Sequence, residues 1–195
     1  MTELIERVRA YFEEYDKLAT VALRIKDQMI VAQPEKEIKV IPLNKKAEGL
    51  NKICQKIFKM KKSINAVIIS SLCHTKVIAQ SCVTVPPILD DLAQIVGPSV
   101  RSSKKGGATS ILFKLIGRNA CVVKNKGAVA IGRTLDEADT ATKVLEKGAK
   151  AYIESTMIGG AKPISKIEST LMHIVYKLKY SKQDQSEKLE ELNND

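Results

Sequence analysis

The stretch Asn119–Glu154, NACVVKNKGAVAIGRTLDEADTATKVLEKGAKAYIE, constrains the fold more than any other part of the chain. Two short β-branched runs, Ala120–Val123 and Ala128–Ile131, flank the turn Lys124-Asn125-Lys126-Gly127 and predict a hairpin. Gly132 ends the second strand, and Thr134-Leu135-Asp136-Glu137 has the spacing of a capping box. In it the Thr134 hydroxyl accepts from the Glu137 amide while the Glu137 carboxylate reaches back. Leu135, Ala138, Ala141, Val144, Leu145, Ala149 and Tyr152 then fall on one helical face. A hairpin therefore feeds a long packed helix.

The rest of the chain is read against that unit. With 195 residues it is long enough for one domain with a full core, and 44% hydrophobic with 28% charged residues is a globular composition. No apolar run approaches the roughly 20 residues that a membrane span needs. The start, MTELIERVRAYFEEYDKL, is charged and amphipathic, with Leu4, Val8, Tyr11 and Leu18 on one face of a helix over 2–18, and is unlike a signal peptide. A cytoplasmic location is expected. Cys54, Cys73, Cys82 and Cys121 show no CxxC spacing, which argues against a disulfide framework or zinc knuckle and for four small buried hydrophobes. The formal charge of +10 favours phosphate-bearing partners, but the lysines are scattered and aromatics make up only 4%. A nucleic-acid surface would cluster its cations and interleave stacking rings, so nucleic acid is not the expected partner.

Thr20–Ile25 and Met29–Ala32 predict two strands around Lys26-Asp27-Gln28, and 36–43 a third. Asn44 is the expected N-cap of a helix burying Leu50, Ile53, Cys54 and Ile57. Residues 65–71, NAVIISS, predict a strand followed by a small, apolar run at 77–83. Pro86-Pro87 precedes a short helix carrying Ile88, Leu89, Leu92, Ile95 and Val96 and stopped by Gly97. Arg101–Gly107 is expected to be a mobile basic surface loop without the fixed glycines and Gly-Lys-Ser/Thr ending of a Walker loop. Thr109 or Ser110 caps a two-turn helix ending at Gly117. A second capping box, Ser165–Glu168, opens a helix with Leu171, Ile174, Val175 and Leu178 inward and His173 exposed. The chain divides into a domain over 1–180 and a polar tail over 181–195, expected to be disordered.

Two of these segments carry a resemblance. The strand at 65–71, the Gly127 turn, the strand ending in Gly132-Arg133-Thr134-Leu135 and the Ala-rich helix together resemble the class II aldolase/adducin family. The resemblance implies a three-layer α/β/α domain with a mostly antiparallel central sheet, commonly assembled as a homotetramer. It also implies a zinc site built from a His-x-His at the end of the first strand and a His before the turn glycine. In this chain those positions are Ile69, Ser71 and Lys126, and only two His occur in all. The family's phosphate loop corresponds to Ala19-Thr20-Val21-Ala22, with Arg24 alone keeping the pattern, and its Thr-Pro-Ser-Gly to Ala32-Gln33-Pro34-Glu35. Its catalytic Glu falls at Leu50, with Glu48 two residues away as the alternative.

No metal site and no cofactor are therefore expected. The first reading is a non-catalytic binding or assembly protein, with Arg24, Ser70, Ser71, His74 and Lys126 holding a small anionic, sugar-phosphate-like ligand. The second is an aldehyde-lyase with metal-independent chemistry, in which a desolvated Lys126 forms a Schiff base with a sugar carbonyl. The third, a nucleic-acid or acidic-partner binder, rests on the net charge alone.

Overall fold

The computed structural model describes residues 5–6, 8–11, 19–33 and 36–193, with side chains through Lys179. Seven strands form one sheet: β1 (Ala19–Ile25), β2 (Gln28–Ala32), β3 (Lys39–Pro42), β4 (Ala66–Ser70), β5 (Arg101–Ser103), β6 (Ala120–Val123) and β7 (Gly127–Gly132). Their order is β3-β2-β1-β4-β7-β6-β5, and every pairing is antiparallel except β5 with β6. The helices are α1 (Gly49–Met60), α2 (Cys73–Ser81), α3 (Ala108–Lys114), α4 (Leu135–Met157) and α5 (Lys166–Asn193), with a π-helical turn at Leu92–Val96.

Strand alternation sorts the sheet into two apolar faces. Ala22, Val67, Ile69, Cys121, Val123, Val129 and Ile131 pack against Ile53, Ile57 and Phe58 of α1 and Ile111 of α3. On the other face, Ala120, Val122, Ala128 and Ala130 meet Ala141, Leu145 and Ala149 of α4, while Val21, Ala66 and Ile68 meet Leu135 and Ala138. The result is the expected three-layer domain. Alanines on β6 and β7 allow α4 to lie close, and Gly148 lets Leu92 of the π turn pack onto it: a Cβ there would sit 2.9 Å from Leu92 Cδ1.

Local chemistry sets the ends of the elements. The Thr134 hydroxyl accepts from the Glu137 amide (3.2 Å), as the capping box predicts, but the Glu137 carboxylate reaches past Thr134 and accepts from the Arg133 amide (2.8 Å) and guanidinium. α1 starts at Gly49 with Glu48 in the N-cap position, not at Asn44. The reason is Gln55, whose side-chain amide donates to the carbonyls of Leu43 and Lys45 and holds the turn there outside the helix. α3 starts at Ala108, because Thr109 and Ser110 spend their hydroxyls on Lys56 and Ser103 rather than on capping. Arg101–Ser103, expected in a mobile loop, is the edge strand β5. Of the cysteines only Cys54 and Cys121 are buried, where desolvation pushes both thiols up to about 12; Cys73 is exposed and Cys82 half-buried. In the N-terminal segment Val8 and Tyr11 are buried; Leu4 and Leu18 lie outside the described residues.

The largest departure from expectation is α5. The helix spans Lys166–Asn193. Its apolar stripe faces outward: Leu171 and Leu178 keep 60% and 57% of their surface, and Ile167, Ile174 and Val175 are exposed with them. The helix docks on the π turn with Ser169 and with His173, which is 4% exposed. The His173 Nδ1–H donates to the Gln94 carbonyl at 2.6 Å. Burial, helped by the charges of Lys177 and Arg118 and opposed by the Gln94 bond, lowers the imidazole pKa from 6.5 to about 4.

A pH-dependent stability follows. Below pH 6.5 the unfolded chain takes up a proton at His173 that the folded chain refuses until about pH 4, so stability falls as pH drops through that window. The gap corresponds to roughly 3 kcal/mol at about 1.4 kcal/mol per tenfold change in proton affinity. In urea unfolding, the stability difference between wild type and His173→Gln is expected to shrink by about that amount from pH 7 to pH 4; a difference constant with pH would contradict it.

Candidate functional site

The turn between β6 and β7 is tight. Asn125 (φ 61°) and Gly127 (φ 86°) both have left-handed backbone, and the Lys126 amide donates to the Val123 carbonyl at 3.0 Å. Gly127 cannot be replaced without rebuilding the site. A Cβ there would lie 2.1 Å from the Ser70 carbonyl oxygen and 3.0 Å from Ser71 Cα. The turn thus lies directly on the end of β4, with Gly127 against the backbone of Ser70 and Ser71. The Lys126 stem runs over the backbone of Gly106, where a Cβ would come within 2.8 Å of Cε. The basic loop after β5 is therefore packed on Lys126.

Ser71 follows Ile69 by two residues and continues its side of the strand, the side covered by α1 and α3. Thr20, paired with Ile69, is buried on the same side, and the Ser103 and Ser110 hydroxyls meet at 2.7 Å under α3. Ile69 itself is a core residue.

The other expected site residues go elsewhere. Ser70 alternates with Ile69 and points to the α4 side, where its hydroxyl is buried without a hydrogen-bond partner among the described residues. It cannot share a ligand with Ser71. Arg24 is at the opposite end of the sheet: Ala19 pairs with Ser70 and Leu23 with Ala66, so Arg24 lies about 17 Å along the strand at about 3.4 Å per residue. Its guanidinium is spent structurally. It donates to Asn65 Oδ1 (3.0 and 2.9 Å) and to the carbonyls of Phe58 (3.0 Å) and Lys62, and stacks 5.8 Å from the Phe58 ring centroid. Glu48 is exposed, and Leu50 packs against the α1 core.

His74 has a structural task of its own. α2 opens with Leu72 in the N-cap position and no local cap, so its free amides need a remote acceptor. Glu146 of α4 supplies it, accepting from the amides of His74 (2.8 Å) and Thr75 (2.9 Å) and lying 2.7 Å from His74 Nδ1. Burial opposes the Glu146 charge. The bonds from His74 and Thr75 together outweigh it and hold the carboxyl below its ordinary value. The absence of Ser, Thr, Asp or Asn at Leu72 is the sequence signal for such a partner, although it does not name Glu146.

Of the five expected ligand-binding residues, Ser71 and Lys126 lie on the two chain segments that meet at Gly127, and Arg24, Ser70 and His74 are turned to other tasks or another face. Among the described residues no three His, Cys, Asp or Glu side chains come close enough to hold a metal ion.

Residues 24–153 match the family described as Class II Aldolase and Adducin N-terminal domain. The chain belongs to the class II aldolase/adducin family. No curated protein matches it in sequence. Among solved structures it is similar to an L-fuculose 1-phosphate aldolase, with 20% identity and a TM-score of 0.78 over 90% of this chain and 95% of that one. An L-fuculose 1-phosphate aldolase from Glaciozyma antarctica is 16% identical, with a TM-score of 0.66 over 86% of this chain and 76% of that one. The L-fuculose-1-phosphate aldolase of Thermus thermophilus is 14% identical, with a TM-score of 0.65 over 79% of this chain and 95% of that one. At these identities the likeness is one of fold.

The family hairpin makes Gly127 the most sensitive position at this end. Gly127→Ala meets both a backbone clash and a positive φ and is expected to cost about 3 kcal/mol or more, whereas Gly117→Ala (φ 66°, with no atom within 4 Å) should cost only about 1–2 kcal/mol. Urea denaturation of the two variants decides this, and equal losses would mean that the contact with Ser70 is not tight.

Proposed function

We propose that this chain is a class II aldolase/adducin-family protein that works without the family's metal site, by binding or assembly rather than by catalysis. One observation carries the reading: the residue set at the Gly127 turn. The residues there do not fit a zinc ion. Ile69 offers only hydrocarbon and is buried, Ser71 offers a neutral hydroxyl, and the Lys126 ammonium repels a dication. The cation of Lys126 and the hydroxyl of Ser71, on segments that meet at Gly127, are the groups that would hold an anionic group such as a sugar phosphate.

Assembly has its own support in α5. Ile167, Leu171, Ile174 and Leu178 follow one another at spacings of four, three and four and are all exposed, which is the seam of a helix packed against another helix. Full burial of each such side chain is worth about 1.5–3 kcal/mol, so a second copy laid along this face has a driving force the monomer leaves unused. A homo-oligomer, with the tetramer expected from the resemblance, is the proposed state.

Three measurements test the reading. Ile69→His, Ser71→His and Lys126→His together should create zinc binding that wild type lacks, because these are the positions that the resemblance assigns to the family's zinc ligands. Equal zinc affinity in both proteins would remove the proposal. Incubation of wild type with ketose phosphates and borohydride should leave Lys126 unmodified; a trapped adduct at Lys126 would establish the metal-independent aldehyde-lyase instead. For assembly, light scattering should find an oligomer that Leu171→Glu with Ile174→Glu reduces to a folded monomer.

A further inference from the structure

Four of the cations that the sequence scatters come together at the opposite end of the sheet from Lys126. There a cavity of about 740 Å³ opens between the end of α1, the β7–α4 turn and α5. Lys61, Lys62, Arg133 and Lys177 line it, and Glu137 is the single acid among its lining residues. Glu137 is committed to Arg133, accepting from its amide at 2.8 Å and its guanidinium at 2.9 and 2.6 Å. Four cations against one carboxylate leave three positive charges, and no hydrogen bond or ion pair to Lys61, Lys62 or Lys177 side-chain nitrogens is found among the described residues. Ile64 and Ile131 form an apolar floor and Tyr176 adds a ring to one wall.

We propose that this cavity is a binding site for a phosphorylated small molecule whose ring or apolar body rests beside Tyr176. A multiply charged phosphate group would relieve the repulsion between lysines that the fold leaves facing one another. Burial lowers the pKa of Lys61, and burial followed by the Lys61 charge lowers that of Lys177. The size suits a metabolite, since about 740 Å³ is within the range of roughly 300–1,000 Å³ for small-molecule sites. A concave site with one aromatic ring fits a compact ligand better than an extended nucleic-acid strand. Arg24 acquires a role here, because its bonds to Phe58, Lys62 and Asn65 brace the loop that presents Lys61 and Lys62 and so reduce the ordering cost of binding. This site is separate from the Ser71–Lys126 end and does not depend on what that end holds.

Inorganic pyrophosphate titrated into isotope-labelled full-length protein is the test, read by amide shifts. Saturable shifts centred on Ser63, Asn119 and Arg133 are expected, with Lys61→Ala plus Lys177→Ala weakening binding about tenfold or more. Lys62→Glu serves as a second, independent variant with the same expected direction, and both variants are checked for native circular dichroism. Lys104→Ala plus Lys105→Ala, remote from the cavity, should leave affinity unchanged. The proposal is overturned by the absence of saturable shifts, or by affinity unaffected in both cavity variants. Loss of binding in Lys126→Ala with the cavity variants unaffected would place the anion at the Ser71 end instead. Tighter binding of a single-stranded oligonucleotide that ignores the cavity lysines would make the net charge a nucleic-acid surface and would likewise overturn it.

Discussion

The architecture depends on one close approach, that of the Gly127 backbone to the last carbonyl of β4. β4 is the central strand of the sheet, with β1 paired on one side and β7 on the other. Because position 127 has no side chain, the hairpin turn lies down on Ser70 and Ser71 instead of standing off from them. That contact holds the turn that carries Lys126 on the end of β4, where the Lys126 stem packs on Gly106, and it fixes which strand ends can contribute to a common site. The family fold supplies this geometry, and the side chains placed on it decide what it can hold.

Much of the fold is legible because it follows from period and turn chemistry. The apolar runs over 20–25, 65–71 and 128–131 predict buried strands, and Thr134 and Ser165 do cap their helices as spaced. The face of α5 is not legible, because an apolar stripe states that it must be covered but not by what. Its pattern predicts an inward face, and the fold instead buries Ser169 and His173 against the π turn. His173 can do so because a neutral imidazole with one hydrogen bond to Gln94 is an acceptable buried group, a property that a count of apolar residues ignores.

The candidate site is less legible, and for a geometric reason. Residue-by-residue resemblance groups Arg24 with Ser70 and Ser71, but strand register separates them, and adjacent strand residues such as Ser70 and Ser71 face opposite layers. His74 has the look of a spare polar group in the sequence, yet α4 brings Glu146 to it from 72 positions away, a separation no local pattern reports. The charge shows the same limit. A formal +10 spread along the chain reads as solvated surface, but Lys61, Lys62, Arg133 and Lys177 come from three separate segments to line one cavity.

On the proposed reading the family fold persists here without the family's metal site. The most direct measurement is the zinc content of the full-length protein purified without a metal-affinity tag or chelators. Far less than one zinc per chain is expected, unchanged after incubation with zinc and gel filtration. About one tightly held zinc per chain would contradict the claim, because Ile69, Ser71 and Lys126 could not hold it.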